Sequence, residues 1–297
     1  MDDGHSTDFE RQRSRLRGLA YRMLGSVADA EDIVQDAWLR WHEVRGTAVD
    51  EVGAYLTRIV THLCLDRLKS ARARREHYVG QWLPEPLLED LDAYQPGPDV
   101  AHELAHDLSF ALLRTLDSLS PLERAAFLLH DVFDVDFTSI AATLARDPAA
   151  CRQLATRARQ HVRAARPRFP TRIEDCQRLA SAFVAAIAAG DLDGLTRVLA
   201  DDAEFYSDGG GKVAAVLRPL HGGARVAKAM LGFAANYPPG ELRAEFLNVN
   251  GLPGVLIRDR SRQVVQTIAF EIDPQSRIKA IYVQRDPDKL RHIADPR

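Results

Sequence analysis

The sequence has little of what marks metal proteins and secreted domains. Its 297 residues include only three cysteines, Cys64, Cys151 and Cys176. They lie far apart and form no CxxC or HxxxC pair, which argues against a structural zinc site or a disulfide framework. We therefore expect buried thiols in a reducing cytoplasm, and neither a metal nor a cofactor.

Long apolar runs are also absent. No stretch approaches the length that spans a bilayer, so we expect no membrane association. The N-terminus, Met1–Gly4, is acidic and lacks the apolar run of a signal peptide. A chain of this length with 27% charged residues fits two or three globular domains.

The sequence does contain two arginine-rich stretches, although its net charge is only −3. The first contains Arg67, Lys69, Arg72, Arg74 and Arg75. The second, about eighty residues further along, contains Arg146, Arg152, Arg157, Arg159, Arg163, Arg166, Arg168 and Arg172. Each lies on or beside an amphipathic helical pattern, so together they predict a protein that holds DNA at two places.

Residues 9–80 predict three helices, because apolar residues recur there at helical spacing. We expect Gly25 to close the first helix, Asp29 to open the second and the third to start near Ala54. The third helix carries polar residues along and beyond its other sides: His62, Asp66, Arg67, Lys69, Ser70, Arg72 and Arg75. Taken alone, they fit either a nucleic-acid-binding patch or a solvated face.

Residues 81–107 predict a linker. They contain several prolines, which exclude a continuous helix, and many acids but no lysine or arginine. Such a segment is either a solvated spacer or a strap that folds back on a basic surface. Trp82 slightly favours the second alternative, because an exposed tryptophan in a linker usually docks somewhere.

Residues 108–168 predict further helices, including a helix-turn-helix. Ser120–Glu123 has the pattern of a capping box with proline at the first turn, and we expect its helix to run to about Phe133. Within 138–166, a short helix, a turn capped by Asp147 and a longer helix have the spacing of a DNA-binding helix-turn-helix.

The longer helix of this motif would present its first turns to a major groove. Small residues there allow close approach to the bases, Arg152 and Gln153 can pair with guanine or adenine edges, and the arginines farther along suit phosphates. The DNA-binding candidates are Ala149, Arg152, Gln153, Thr156, Arg157 and Arg159. The alternative is an ordinary helical hairpin with a solvated basic face.

After Glu174 the pattern is that of a separate α+β domain. A helix at 174–189 precedes strand-like runs at 203–206, 242–249, 254–258, 264–272 and 278–283. The last two alternate apolar and polar residues, as in a half-buried antiparallel sheet.

The segment Tyr21–Trp38, and especially Ala30–Asp36, resembles the second domain of bacterial RNA polymerase sigma factors of the extracytoplasmic-function (ECF) group. The resemblance implies that residues 1–80 bind the β′ clamp helices of core RNA polymerase and that their 55–76 helix captures the melted minus-ten promoter element. The implied polymerase-binding residues are Asp29, Glu31, Asp32, Gln35, Asp36 and Trp38. Residues 108–168 would be the fourth domain, which reads the minus-thirty-five element and contacts the β flap.

The remaining motifs resemble the SigJ-like subgroup of this family, in which a SnoaL-like domain follows the sigma domains. The matching residues are Trp82, Leu83, Pro84, Glu85, Pro86, Leu87, Asp208, Gly209, Gly210, Gly211, Lys212, Asp286, Pro287, Asp288, Lys289 and Leu290. Asp286 departs from the pattern, since family members often have Asn there.

The resemblance implies a multidomain fold: two all-α sigma domains, then an α+β SnoaL-like cone with a curved antiparallel sheet at 172–297. In relatives this last domain modulates sigma activity in place of a separate anti-sigma protein. We expect its glycine-rich loop, Gly209–Lys212, to meet the Trp82 segment. The loop could also cradle a phosphate, although it lacks the P-loop pattern.

SnoaL-like cones include isomerases, cyclases and hydrolases, which use a carboxylate base in an apolar cavity. Candidates for such chemistry here are Asp202, Tyr206, Asp208 and His221, but no spacing forces them into one site. An enzyme with DNA-binding domains therefore stays an alternative, as does a small ligand in the cone. Another is a DNA-binding regulator that does not touch polymerase.

The function expected from the residues and the resemblance together is that of an alternative sigma factor. It would be a monomer when free and not an enzyme. Its partners would be core RNA polymerase and promoter DNA.

Overall fold

The computed structural model describes residues 3–44, 49, 51–75, 78–89, 108–165, 173–238 and 240–294. These residues form two compact units. The first contains the described residues of 3–77 and 111–165, and the second those of 78–89, 108–110 and 173–294. Most of the acidic linker, from Asp90 to Asp107, lies outside the described residues.

The first unit is all α-helical in its described part, as predicted. Its helices are α1 (Asp3–Leu24), α2 (Val27–Glu43), α3 (Val52–Arg75), α4 (Phe110–Ser118), α5 (Pro121–Phe127), α6 (Phe137–Leu144) and α7 (Pro148–Ala165). Among the residues that the structure describes, no helix is both long and apolar enough to cross a membrane.

The predicted helix boundaries need two corrections in the second and third helices. The residue that caps α2 is Ser26, whose hydroxyl accepts from the Asp29 amide at 3.1 Å, so the helix begins at Val27. Asp29 lies in the first turn, where its carboxylate faces the positive end of the helix dipole. Helix α3 begins at Val52 rather than near Ala54. Gly25 does end α1, with the left-handed φ of +68° that favours glycine.

The helix that starts at Pro121 also differs from its prediction. Its capping box is present, since Ser120 Oγ accepts from the Glu123 amide and Glu123 accepts from the Ser120 amide. The α-helix ends at Phe127, and a π-helical turn follows over Leu128–Val132. The amide of Phe133 bonds to the Leu128 carbonyl at 3.0 Å, which is the wider spacing of a π-turn.

The helices of the two predicted sigma domains pack together within the first unit. Helix α3 contacts α5 and α6. Arg124 of α5 is buried and donates to the Met23 carbonyl at 2.5 Å, while Arg15 of α1 donates to the Phe133 carbonyl at 3.1 Å. These side chains satisfy carbonyls at the helix ends of the other domain, so hydrogen bonds as well as helix packing connect the two domains within the first unit.

The second unit is an α+β structure. Its helices are α8 (Ile173–Ala189), α9 (Leu192–Val198), α10 (Gly223–Ala234) and α11 (Pro287–Ala294). Its strands are β1 (Leu88–Glu89), β2 (Leu199–Asp208), β3 (Leu220–His221), β4 (Arg243–Val249), β5 (Leu252–Arg258), β6 (Val264–Ile272) and β7 (Ile278–Gln284).

The strand order is β1-β4-β5-β6-β7-β2-β3. The expectation of an antiparallel sheet is wrong at one place, because β2 pairs with β7 in parallel. The strands from β4 to β7 are joined by short turns and pair antiparallel, as predicted. A parallel pair needs a long crossover connection, and here most of the domain lies between its two strands.

Three hydrophobic clusters pack on the sheet, and the smallest of them joins Leu256 of β5 to Leu290 and Ile293 of α11. The largest contains Phe183 of α8, Val226 of α10 and Phe270 of β6. A smaller hydrophobic cluster contains Tyr206 and Tyr282 of the sheet together with Leu83 and Phe110. Leu83 therefore lies in the core of the second unit, although the sequence places it in the predicted linker.

Candidate functional site

A densely hydrogen-bonded polar site of the second unit surrounds the Asp208 carboxylate, which lies at the end of β2 and is fully buried. Its Oδ1 accepts from the Tyr78 hydroxyl at 2.6 Å. Its Oδ2 accepts from the Leu83 amide at 2.8 Å, the Lys289 ammonium at 2.7 Å and the Gln284 side-chain amide at 3.3 Å. A buried charge is stable only when it is paired and hydrogen-bonded, and Asp208 meets both conditions.

Lys289 connects this carboxylate to the linker. Its ammonium also donates to the Leu83 carbonyl at 2.7 Å and lies 4.5 Å from the centroid of the Trp82 ring. Burial lowers the pKa of Lys289, and the Asp208 carboxylate opposes that shift. We call Tyr78, Trp82, Asp208, Asp286 and Lys289 the linker cluster.

Tyr78 is the neutral donor of the linker cluster. Burial and the hydrogen bond to Asp208 raise the pKa of Tyr78, so its hydroxyl stays protonated and donates to the carboxylate. Its oxygen also lies 3.4 Å from Asp286 Oδ2.

The glycine-rich loop approaches the linker cluster too closely for a side chain. Gly210 has φ +63°, and a Cβ there would lie 2.3 Å from the carboxyl carbon of Asp286. A Cβ on Gly211 would lie 3.2 Å from the Cβ of Val79. The loop and the Trp82 segment thus meet as expected, and Lys212 pairs with Asp288.

Further side chains hold the rest of Tyr78–Glu89. Gln81 Nε2 donates to the Val216 carbonyl at 2.8 Å, and the Leu87 amide donates to Asn250 Oδ1 at 3.0 Å. His292 Nε2 lies 2.7 Å from the Pro86 carbonyl. Leu88 then pairs with Val249, which makes β1 an edge strand of the sheet.

The sequence motifs alone did not predict these supporting contacts. Tyr78, Asn250 and His292 lie outside the matching motifs, and Gln284 lies two residues before one of them. The predicted regulatory residues Leu83, Pro84, Glu85, Pro86, Asp286 and Leu290 are all buried in this region. The linker therefore takes the folded-back alternative over its described part, but it folds on the C-terminal sheet rather than on a basic helix.

The predicted polymerase-binding residues lie on α2. Asp32, Gln35 and Asp36 are exposed, whereas Asp29 and Glu31 are half-buried. Trp38 is also half-buried and makes an edge contact with Phe9, at 5.0 Å between ring centroids. Leu39, which no sequence motif singled out, follows Asp32 and Asp36 on the same helical face and is 55% exposed.

The polar residues of α3 have partners inside the first unit. Arg67 lies 3.3 Å from Asp29 and 3.1 Å from Asp32, so it bridges two predicted polymerase-binding acids. His62 Nε2 lies 2.6 Å from the Thr143 carbonyl of α6. Lys69 pairs with Asp66, and Ser70 donates to the Arg67 carbonyl. The side chains of Arg72 and Arg75 lie outside the described residues.

The predicted recognition helix α7 has the expected cap and exposed face. Asp147 Oδ1 accepts from the Ala150 amide at 2.9 Å, and Pro148 begins the helix. The exposed candidates are Ala149, Arg152, Gln153, Thr156 and Arg157. Arg159 differs from them, because its Nε lies 2.5 Å from Asp131 and its side chain is half-buried.

The four enzyme candidates do not converge. Asp202 is exposed and pairs with Lys279, while His221 is exposed and lies 3.2 Å from Glu204. Tyr206 is in the smaller hydrophobic cluster and bonds to Glu204 at 2.5 Å. Asp208 is occupied by the linker cluster. None of these four described residues lines the large cavity of the domain.

The comparisons with known proteins agree with the two-part pattern. Residues 9–74 match the family model of Sigma-70 region 2, and residues 109–162 match that of Sigma-70, region 4. The ECF RNA polymerase sigma factor SigJ of Mycobacterium tuberculosis is 40% identical over 295 residues, which cover 96% of this chain and 92% of SigJ. This chain belongs to the ECF RNA polymerase sigma factors.

The likeness to this family extends to the C-terminal domain. The crystal structure of Mycobacterium tuberculosis SigJ superposes with a TM-score of 0.75 at 35% identity, covering 96% of this chain and 98% of that one. A probable ECF sigma factor of the same organism, SigI, is 35% identical over 203 residues, covering 66% of this chain and 67% of SigI. The predicted family and fold class of this sigma factor are therefore confirmed.

Proposed function

We propose that this sigma factor binds core RNA polymerase through the exposed face of α2. Asp32, Asp36 and Leu39 support this, because they combine two carboxylates with one exposed apolar side chain on a single helical face. Such a face suits a partner surface with cationic and apolar groups.

We also propose that α3 and α7 recognise the two promoter elements. Helix α7 has an intact cap and exposes Arg152 and Gln153 in its second turn, where their side chains suit guanine and adenine edges. Helix α3 offers Arg67 and Lys69 near its C-terminal half. In the free protein Arg67 pairs with Asp32 and Lys69 pairs with Asp66. Such surface ion pairs are weak, so both side chains can exchange these carboxylates for DNA phosphates.

We propose finally that the C-terminal domain regulates the sigma domains in cis through their linker. The observation that carries this proposal is that the segment Tyr78–Glu89 is hydrogen-bonded to the C-terminal domain. In the chain, this segment lies between α3 and α4. This segment is bonded to Asp208, Lys289 and Asn250 of the C-terminal domain. Any change in that domain at these residues acts directly on the segment that connects the sigma domains.

The polymerase proposal is tested by charge reversal on α2. We expect D32K and D36K together to abolish binding to purified core RNA polymerase, because the variant face repels a cationic partner. The control is E10K, an equally exposed acid on α1. Biolayer interferometry with immobilised core polymerase measures both. Undiminished binding of the double variant would favour a DNA-binding regulator that does not touch polymerase.

A further inference from the structure

The C-terminal domain contains a cavity of about 740 Å³ between the sheet and its covering helices. This volume falls in the range of small-molecule sites. Most of its lining is apolar and comes from α8, α10 and the strands: Phe183, Phe205, Met230, Phe233, Ile257 and Ile268. A ligand for this space must therefore have a large apolar part.

The charge of the lining has one sign. Among the described residues that line the cavity there are two arginines, Arg243 and Arg285, and no aspartate or glutamate. Arg243 is exposed, whereas Arg285 at the end of β7 is half-buried. The cavity thus contains a partly desolvated cation and lacks the carboxylate base that cone enzymes use, so it suits binding better than catalysis.

Arg285 is held in place but not neutralised. Its Nη1 donates to the Ala214 carbonyl at 2.6 Å and its Nη2 to the Tyr237 hydroxyl at 2.8 Å. Both partners are uncharged, and within the described part of the chain no carboxylate lies within ion-pair distance of this guanidinium. Its Nε is buried and has no hydrogen-bond partner in the described residues. An anionic group in the cavity would supply the countercharge that this half-buried guanidinium lacks.

We propose that this cavity binds an amphipathic carboxylic acid, with the carboxylate at Arg285 and the apolar part among the aromatic and aliphatic walls. Gln266 and Asn236 add neutral polar groups to the lining. A fatty acid and an aromatic acid share this chemistry. Because the lining holds no acid, a cationic ligand gains nothing there, and a neutral one leaves Arg285 without a counter-ion.

The same site borders the linker. Ala214, Ala215 and Val216 line the cavity, and the Val216 carbonyl accepts from Gln81 of the linker segment. The Arg285 amide donates to the Asp208 carbonyl at 2.7 Å. Bound acid therefore contacts the loop and the strand end that hold the linker. An effect of the bound acid on the linker rests on the proposed regulation in cis, whereas binding of the acid in the cavity does not.

Binding is tested on the full-length protein without polymerase or DNA, so the result does not depend on how transcription is regulated. Isothermal titration compares decanoate and 2-naphthoate with decanol and 2-naphthamide, their uncharged analogues. We expect at least one of the two acids to bind at least about tenfold more tightly than its analogue, because a hydrogen bond to a charged group contributes that much. Failure of both acids to bind, or equal affinity of acid and analogue for both pairs, would overturn the proposal.

Two variants locate the site. R285Q removes the charge and leaves a shorter neutral donor, so it should weaken binding of the acid about tenfold or more while leaving binding of its neutral analogue unchanged. R243Q, which changes the exposed arginine, is the matched control and should weaken binding of the acid less than R285Q does. M230W narrows the cavity and should weaken binding of both the acid and its neutral analogue, and circular dichroism of each variant checks that it folds. An acid that binds R285Q and M230W as it binds the unchanged protein lies elsewhere, which contradicts the assignment.

Discussion

Arg67 in the first unit and Asp208 in the second both hold several charged or polar partners, but in opposite surroundings. Arg67 is half-buried and pairs with the half-buried Asp29 and the exposed Asp32. Asp208 is fully buried and accepts from donors of the linker and of three other segments. Ion pairs at the surface exchange partners at little cost in free energy, whereas a buried carboxylate such as Asp208 cannot lose its donors without a large loss of stability.

This difference matches the roles that we propose for the two units. The charged surfaces of the sigma domains must exchange internal partners for polymerase and DNA. The linker cluster must instead keep one arrangement until the C-terminal domain changes. The two kinds of site should therefore respond very differently to substitution.

The largest expected effect on stability follows from removing the buried Asp208 carboxylate. D208A leaves the buried Lys289 ammonium without its carboxylate, which should lower the free energy of unfolding by about 3–5 kcal/mol. D202A removes an exposed carboxylate that pairs with Lys279, so it should cost less than about 1 kcal/mol. Urea titration followed by circular dichroism measures both. Similar losses in the two variants would contradict the large loss expected for the buried Asp208 carboxylate.

A smaller effect is expected in the glycine-rich loop. Gly190 and Gly210 have nearly equal φ values, +65° and +63°, but only Gly210 has a neighbour where a Cβ would lie. G190A should cost about 1 kcal/mol for its left-handed backbone alone. G210A must also displace the Asp286 carboxylate, so it should cost at least about 1 kcal/mol more. If the same titration shows equal costs, the loop does not pack on the linker cluster as described.

The smallest effect on stability is expected at Arg67. R67A removes two ion pairs at the protein surface and should change the free energy of unfolding by less than about 1 kcal/mol. It should nevertheless weaken promoter binding by the holoenzyme and reduce the salt dependence by about one unit, because one phosphate contact is lost. Fluorescence anisotropy at several salt concentrations measures this, with R13A on α1 as the control. An unchanged salt slope would remove Arg67 from the DNA interface.

Local sequence patterns predicted much of the first unit. Capping residues such as Ser120 and Asp147 act within three residues of their targets, so their hydrogen bonds can be read from spacing. The contact of His62 with Thr143 and the ion pair of Arg159 with Asp131 could not be predicted in this way. They depend on how helices pack, which spacing along one helix does not specify.

The second unit was less predictable because its organisation is non-local. The parallel pairing of β2 with β7 joins strands that are separated by most of the domain. The Asp208 site likewise combines the linker, the end of β2 and α11. The family resemblance identified the motifs that contain Trp82, Asp208 and Lys289. The local sequence around each motif did not show that the Asp208 carboxylate bonds to both of the other segments.

The most direct test of regulation through the linker cluster is run-off transcription with purified core polymerase. The template is a promoter selected from a randomised pool, and full-length protein is compared with D208N and with D202N at equal concentration of folded protein. We expect D208N to change the transcript yield by at least about fivefold, the lower range of coupling between sites, and D202N to leave it unchanged. Equal yields from all three proteins would contradict regulation of this sigma factor by its C-terminal domain.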